Sequence, residues 1–480
     1  MKKQIIVLLF SSILVNSIAQ NSFERLIQNE EDQIPTSLIE DVNSYIICSL
    51  FDKPDAPLIK LNTEGEIVDS LIIEAPLNGN CNISELGWIN CEHFIALGEF
   101  NFDSTFNLWF IKADTGFNII CNEIFQMPGE IVGTYTNFLI NSKGNIVISG
   151  SFIQSLPNNW DIFIFELDLS GTVVQEKFFG INTPGGKVVY DIVEQSINNY
   201  FITCNSVNLD NKGLCYIYQL DSTINIVNQY YIDFNIGNLN EMDFIEDSIF
   251  ILSWVQYFGS LETQLGLLKI DLSFNIIDSI HFGKMGNDTV DYPAFHNNLN
   301  YISKENIYYA GTSNLDLFNP FFSSMPSWLL LAKLDNNFGV YWQKFYGGDA
   351  CYNLWSILAT QDGGCVMAGT RYDYQTQNQE RDVYILKVNE NGILTWTYNF
   401  PETTRQVIVY PNPGQNEIMI KSISPNLIFE LFDMQGVKML SKKIATEDRI
   451  NTKDLPQGIY IYQILNRQAE VVETGKLIKN

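Results

Sequence analysis

Apolar residues along this chain come in short bursts closed by polar turns, and no long 3.6-residue period appears after the first twenty residues. The clearest burst is Trp328–Gly348, WLLLAKLDNNFGVYWQKFYGG, which reads as an apolar strand, a tight turn and a second strand ending in Gly-Gly. An Asp or Asn directly after a strand ending in Lys-Leu or a variant recurs at Asn62, Asp114, Asp168, Asp221, Asp271, Asp335 and Asn389. The spacings are 52, 54, 53, 50, 64 and 54 residues. A period of about 50 residues predicts a propeller or another repeat array, here of seven units.

Each unit divides into four short strands, the anatomy of a propeller blade. In the last, the strands are Leu354–Thr360, Cys365–Gly369, Asp382–Val388 and Ile393–Phe400. The third strands, such as Ile162–Phe165, Leu265–Leu268 and Trp328–Leu331, are apolar at consecutive positions. A sheet with one wet face alternates, so these strands need cover on both sides. Blade stacked on blade supplies that cover. A pair of β-sandwiches would also do so, but the regular spacing favours the propeller. Second strands often carry a glycine, Gly98, Gly150, Gly311 or Gly369, which signals either close backbone approach or simple strand termination.

Composition sharpens the picture. Aromatics at 13% and charges at 17% describe a globular chain, and Val, Ile, Phe and Tyr runs describe an all-β one. A net charge of −27 excludes nucleic acid as an expected partner. Residues 1–20 form a secretory signal peptide, with Lys2 and Lys3, the apolar run Ile5–Val15 and a small-residue exit at Ser17-Ile18-Ala19. The export route is therefore Sec and the periplasm. Phe23-Glu24-Arg25-Leu26 resembles a fourth strand, so either it or Trp396–Phe400 closes the ring.

By antiparallel alternation, the short turns after first and third strands emerge on one face of the ring and the longer connections on the other. Long loops on a rigid scaffold are where binding sits. Tyr257, Phe258, Phe318, Phe321, Phe322, Tyr372 and Tyr374 lie there as candidate ligand-binding residues, Ser313–Ser327 being the largest insertion. The competing expectation is that these rings pack over the blade tops.

The phrase Lys333-Leu334-Asp335 with Gly339, Trp342 and Gly347-Gly348 resembles the bacterial seven-bladed β-propeller repeat, and Lys387-Val388-Asn389 with Gly392 and Trp396 is close to it. The unit at Asp221 lacks both Lys and Gly, and the one at Asp271 has Asn275 where the resemblance expects Gly. That resemblance implies a fold and no single activity.

At 401–406 a short polar linker ends the repeat, and short alternating strands follow from Val407. This stretch is similar to the type A C-terminal sorting domain of the type IX secretion system of Bacteroidetes. The carrying residues are Tyr410-Pro411-Asn412-Pro413, Leu431-Phe432-Asp433-Met434-Gln435-Gly436, Leu455-Pro456-Gln457-Gly458-Ile459-Tyr460 and Gly475-Lys476-Leu477-Ile478-Lys479. The resemblance implies partners in the type IX translocon and sortase-like machinery. It also implies removal of the domain, with attachment to surface lipopolysaccharide or release.

The cysteines, Cys48, Cys81, Cys91, Cys121, Cys204, Cys215, Cys351 and Cys365, allow local disulfides 81–91, 204–215 and 351–365 or buried free thiols. No C-x-x-C, H-E-x-x-H, G-x-S-x-G or Walker loop occurs, and His93, His281 and His296 stand in no catalytic motif. Neither a metal, a cofactor nor a catalytic residue is expected. Paired carboxylates remain a route to hydrolysis.

The expected fold is all-β: a seven-bladed β-propeller over 21–400, in blades of about 53 residues, followed by a small C-terminal Ig-like β-sandwich over 407–480. The expected function is a monomeric, secreted or outer-membrane surface-attached binding module with a glycan or protein ligand. The alternatives are a glycan- or peptide-active hydrolase with acidic catalytic residues, and a structural surface-coat protein.

Overall fold

The computed structural model describes residues 22–394 and 407–479, with the exception of 29–32, 43, 51–54, 75–79, 103–104, 129, 132–135, 156–158, 180–186, 208–212, 233–237, 247–248, 258–262, 284–289, 317, 377–379, 411–415, 423–426, 434–435 and 467–470. The chain divides into two compact units, Met1–Trp396 and Thr397–Asn480. The expected signal peptide and linker lie outside the described residues.

Among the described residues, the first unit is a succession of seven antiparallel sheets in a propeller-like arrangement. They are sheet 1 (Ile34–Glu74), sheet 2 (Asn80–Gln126), sheet 3 (Glu130–Phe179), sheet 4 (Lys187–Tyr231), sheet 5 (Asn238–Phe282), sheet 6 (Asp291–Gly347) and sheet 7 (Cys351–Val388). Strands lie side by side in chain order, except that the first strand is split in sheets 3 and 6. Sheet 7 takes its outer strand from the far end of the chain. Phe23–Ile27 pairs with Asp382–Val388, Phe23 opposite Lys387 and Ile27 opposite Val383. The N-terminal alternative therefore supplies the missing strand. Of the expected fourth strand Ile393–Phe400, Ile393 and Leu394 are not in a strand and the rest lies outside the described residues.

Consecutive apolar residues in the third strands serve two different cores. In sheet 6, Leu329 and Leu331 pack with Tyr352, Leu354 and Met367 of sheet 7. Leu330, Ala332 and Leu334 pack with Ile251, Leu265 and Leu267 of sheet 5. Sheet 3 repeats this, Phe163 and Phe165 facing sheet 2 while Ile162 and Ile164 face sheet 4. Alternation sends neighbours to opposite faces, so a strand with a sheet on each side is apolar at consecutive positions.

The recurring Asp or Asn is a turn anchor. In all seven copies its side-chain oxygen accepts the backbone N–H groups two and four residues on, at 2.8–3.0 Å. The turn places the third residue after the anchor at positive φ. That residue is Gly65, Gly171 and Gly392 in three copies, but Phe117 (62°), Ile224 (49°), Phe274 (63°) and Phe338 (61°) in the others. The strained position is therefore one residue earlier than Gly339 and Asn275. A bulky residue at positive φ costs about 1–2 kcal/mol, and burying its side chain returns about 1.5–3 kcal/mol. Phe117 enters a core with Ile39, Ile46 and Leu58 of sheet 1. Phe274 stacks on Tyr230 of sheet 4 at 3.6 Å between centroids. Where the position is glycine, the neighbouring sheet fills the space, as Phe23 does at Gly65 and Trp342 at Gly392.

The Lys of the repeat bonds to the next sheet. Lys60 donates to Thr115 O at 2.9 Å, Lys112 to Leu169 O at 3.0 Å, Lys333 to Glu390 O at 3.3 Å, and Lys269 to Asn336 O. At the closing joint Gln361 N donates to Glu40 Oε2 of sheet 1 at 2.8 Å. Lys387 is fully buried beside this joint and holds Asp362 at 2.8 Å.

Two open readings resolve. The second-strand glycines are sites of close approach, since a Cβ on Gly98 would lie 1.8 Å from Asn82 O and one on Gly369 2.4 Å from Asn353 O. Cys81, Cys91, Cys121, Cys204, Cys215, Cys351 and Cys365 form no disulfide with one another. Cys81 and Cys91 lie at opposite ends of a strand and its turn, while Cys204 and Cys215 face different cores. Burial pushes the thiols of Cys81, Cys215 and Cys365 up to about 12, which keeps them unreactive.

The second unit has a three-stranded sheet (Val407–Tyr410, Glu417–Ser422, Glu447–Asn451) and a four-stranded one in the order Lys438–Ile444, Leu427–Phe432, Gly458–Leu465, Val471–Lys479. Ile418, Ile420, Phe429, Leu431, Tyr460, Ile464 and Leu477 form its core.

These turns predict an inverted substitution order. Phe117→Ala removes the ring and keeps the strain, costing about 3 kcal/mol, whereas Phe117→Gly relieves about 1 kcal/mol of that loss. In chemical denaturation the Gly variant should be the more stable of the two. The ordinary order, Ala above Gly, would contradict this account of the turn.

Candidate functional site

The first strands of the sheets meet one another, and most carry a bulge near the middle. Register shifts occur at Pro35/Ser37, Ile83/Glu85, Val189/Asp191, Leu239/Met242 and Leu354/Ser356. A bulge turns a backbone N–H out of its ladder, and a buried orphan costs about 1–3 kcal/mol. At four of the five, a side chain of the preceding sheet caps an N–H of the bulged strand. Leu86 N donates to Ser37 Oγ (3.1 Å), Val189 N to Ser151 Oγ (2.8 Å), Met242 N to Asp191 Oδ2 (2.8 Å) and Leu354 N to Thr312 Oγ1 (2.9 Å). Glu241 Oε2 accepts Asn298 N and Leu299 N at 2.7 and 2.8 Å.

One contact reaches from sheet 6 to sheet 2. Pro293, which has no N–H, ends the first piece of the split strand in sheet 6. The following residues cross to sheet 7, with Phe295 N on Leu354 O (3.1 Å), His296 N on Trp355 O (2.8 Å) and Ile357 N on Asn297 O (2.9 Å). This places His296 Nδ1 3.1 Å from Glu85 Oε2 of sheet 2, the two side chains being 3% and 14% exposed. Ser37 donates to Glu85 Oε1 at 3.2 Å. Burial, with the nearby Asp191 charge, pushes the Glu85 carboxyl up to about 8. Burial likewise raises Asp191 to about 8, Asp243 to about 6, and Glu241 well above the usual range. A recessed carboxyl protonated near neutral pH beside an imidazole can donate or accept a proton. Among the described residues no group of three or more His, Cys, Asp or Glu side chains is placed to hold a metal ion.

The aromatic candidates separate into three groups. Phe321 and Phe322 are half-buried and sandwich Arg381, its guanidinium 4.7 and 4.9 Å from the ring centroids. Phe321 also stacks on Trp355 at 6.1 Å, and Phe322 meets Tyr372, itself buried, edge-on at 5.3 Å. Tyr374 is half-buried in the following turn. Phe318 stands out, 83% exposed. It sits on a lobe organised by Asp316, whose carboxylate accepts Phe318 N (3.0 Å), Asn319 N (3.3 Å) and Ser323 Oγ (2.9 Å). Tyr257 ends the second strand of sheet 5. Its side chain and the whole of Phe258 lie outside the described residues. Sequence reasoning passed over Glu85, Asp191, Glu241, Trp355 and Arg381, and set His296 aside because it stands in no motif. A usable signal existed for Asp191, a lone carboxylate within Val188-Val189-Tyr190-Asp191-Ile192-Val193.

In the second unit, Tyr410 ends a strand, and Pro411, Asn412 and Pro413 lie outside the described residues. Gly436 takes φ 80° in a turn where Val437 N donates to Asp433 Oδ1 at 2.8 Å, the anchor arrangement seen again. Gly458 opens the strand of Tyr460, whose hydroxyl donates back to Pro456 O at 2.8 Å. Gly475 leaves room for the Tyr462 ring, 2.3 Å from where its Cβ would be. Lys476 is exposed and Leu477 buried.

The first-strand carboxyls make stability depend on pH with a definite sign. Glu85, Asp191, Glu241 and Asp243 have raised folded-state values, so their contribution is present below about 4 and lost as pH rises through about 6 to 8. Hydrogen bonds from Asn118, Ser170, Asn225 and Asn275 hold Asp114, Asp168, Asp221 and Asp271 low. Those four contribute stability that is lost only as pH falls below their ordinary range. The midpoint of thermal unfolding should therefore be highest near pH 5 and fall toward pH 9. Asp191→Asn and Glu85→Gln should flatten that slope. A wild-type midpoint that did not change across this range would contradict the assignment.

No curated protein sequence matches the chain. Among solved structures, an ulvan lyase of a polysaccharide lyase family matches with a TM-score of 0.49 at 11% identity, over 78% of this chain and 98% of its own. Drosophila semaphorin 2a matches at 0.46 and 6%, over 95% and 99%. A glucose dehydrogenase matches at 0.36 and 11%, over 76% and 99%. None of these likenesses bears on activity. The family model for the secretion system C-terminal sorting domain matches residues 408–480. Those residues are a type IX C-terminal sorting domain, and the chain is exported through the periplasm to be secreted or held at the outer-membrane surface.

Proposed function

We propose that the first unit is a seven-bladed propeller clasped by Phe23–Ile27 and that it acts outside the cell as a binding module. Its cargo region would be 21–400, with a signal peptide at 1–20, a linker at 401–406 and an Ig-like sorting domain behind it. The observation that carries the reading is the use made of the first-strand acids. Asp191 and Glu241 are committed to backbone N–H groups of the next sheet, which is a joint-sealing role. The ligand-facing feature is the lobe around Asp316, which holds Phe318 out in solvent on a braced backbone. A pre-ordered lobe presenting an aromatic ring suits a glycan or protein ligand, because little ordering entropy remains to be lost on binding.

Glycan-array and pull-down capture with the full-length exported protein test this. Phe318→Ala should weaken capture by about tenfold, the scale of ~1.4 kcal/mol, with an unchanged melting temperature. Absence of any captured ligand, or capture indifferent to Phe318, would remove the binding role. The Glu85–His296 pair favours a second reading, a glycan- or peptide-active hydrolase. That reading requires hydrolysis of a glycan or peptide substrate that Glu85→Gln abolishes.

A further inference from the structure

The joint between sheets 7 and 1 lacks a bond that its sequence is built to make. At two other joints the capping hydroxyl directly follows a second-strand glycine, Ser151 after Gly150 and Thr312 after Gly311. Each accepts the N–H of the residue that opens the bulge of the next sheet, Val189 and Leu354. Sheet 7 repeats the phrase as Gly369-Thr370. The residue that opens the bulge of sheet 1 is Pro35, which has no N–H to give. Thr370 is buried, and its hydroxyl has no hydrogen-bond partner among the described residues. Ser356 repeats the case. It closes the bulge of its strand as Ser37 and Asp191 close theirs, and those two cap the next sheet. The buried Ser356 Oγ has no such partner.

The strand register brings these groups together. Asn353 lies across from Thr370, and beyond the bulge Ser356 lies across from Ala368. Alternation puts all four on the face where Ala368 and Val366 meet Leu38 of sheet 1. Asn353 is buried and spends its amide nitrogen on Pro320 O at 2.7 Å, while its Oδ1 has no partner. That bond lays 320–322 over this end of the joint. Trp355, the extra residue of the bulge, is also buried with its indole N–H unpartnered. Buried polar groups without partners are destabilising, and native structures keep few of them. Here four lie within two neighbouring strands.

We propose that this end of the joint is a sugar-binding subsite, taking a neutral, hydroxyl-rich residue of a glycan beneath the lobe that carries Phe318. The inference rests on the binding reading above. It goes further by choosing a glycan and placing a second point of contact. Sugar hydroxyls both donate and accept, which matches two hydroxyls, an amide oxygen and an indole N–H with no charge among them. The Trp355 ring, stacked on Phe321 at 6.1 Å, offers an aromatic face to the apolar side of a pyranose. Entry requires 320–322 to lift, which breaks the Asn353–Pro320 bond and frees that amide for the ligand. The joint gives up stability where Pro35 withholds its N–H, and a bound sugar supplies the missing partners.

The test compares stability with glycan-array capture in the full-length exported protein. Thr370→Val keeps the shape of the side chain and removes the unpartnered hydroxyl. It should raise the melting temperature by about 2 °C and weaken glycan capture by about tenfold. Ser356→Ala should move both readouts in the same directions. Thr312→Val makes the same change where the hydroxyl is used. It leaves Leu354 N without a partner and should lower the melting temperature. A lower melting temperature for Thr370→Val as well would mean that its hydroxyl is bonded, and overturns the proposal. A higher one with unchanged capture also overturns it, because the site would then take water alone. If Phe318→Ala weakens glycan capture and Thr370→Val does not, the binding role stands and the subsite falls. Capture of a protein and of no glycan has the same consequence. If nothing is captured, both fall.

Discussion

The joint between one sheet and the next is the contact on which the first unit depends. A single sheet here has two apolar faces and cannot exist alone in water; it is stable only between two others. The joint is built from three parts repeated along the chain. Alternate residues of each third strand fill it, as Leu329 and Leu330 do on opposite sides. A Lys stem crosses it to a carbonyl of the next turn, as at Lys60 and Lys112. The residue at positive φ, or the ring that replaces its side chain, plugs its outer rim. Burial supplies most of the energy, and the hydrogen bonds set register and spacing.

This explains why the repeat was readable while its meaning was not. The Asp or Asn anchor is visible because a turn that consumes two backbone N–H groups demands a short side-chain acceptor at that place. The glycine expected near it was misread by one residue, because Phe or Ile substitutes when the neighbouring sheet offers it a pocket. The acids at the first-strand bulges left almost no trace. Their positions are set by register shifts, which follow from the packing of one sheet against another and carry no local propensity. The aromatic loop residues were legible as a group, but among the described ones Phe318 keeps the exposure a ligand needs, while Phe321 and Phe322 are held by Arg381.

The acidity of the chain has two physical parts. Turn carboxylates such as Asp168 and Asp271 sit in water, stay ionised and raise solubility. Glu85, Asp191 and Glu241 sit where the charged form is costly and act as neutral or shared hydrogen-bonding groups. The count of −27 at pH 7 for the whole chain treats both kinds of carboxyl as ionised.

Sheet 7 has a mechanical property that follows from its borrowed strand. An exported chain held by its tail feels any pull through the backbone that leaves Val388. The strand that ends there, Asp382–Val388, is hydrogen-bonded along its length to Cys365–Tyr372 on one side and to Phe23–Ile27 on the other. Tension along it loads two ladders in shear together, where an edge strand would peel from one ladder bond by bond. The clasp thus lies where a tethered protein meets external force, and it makes the anchor point resistant to being drawn out.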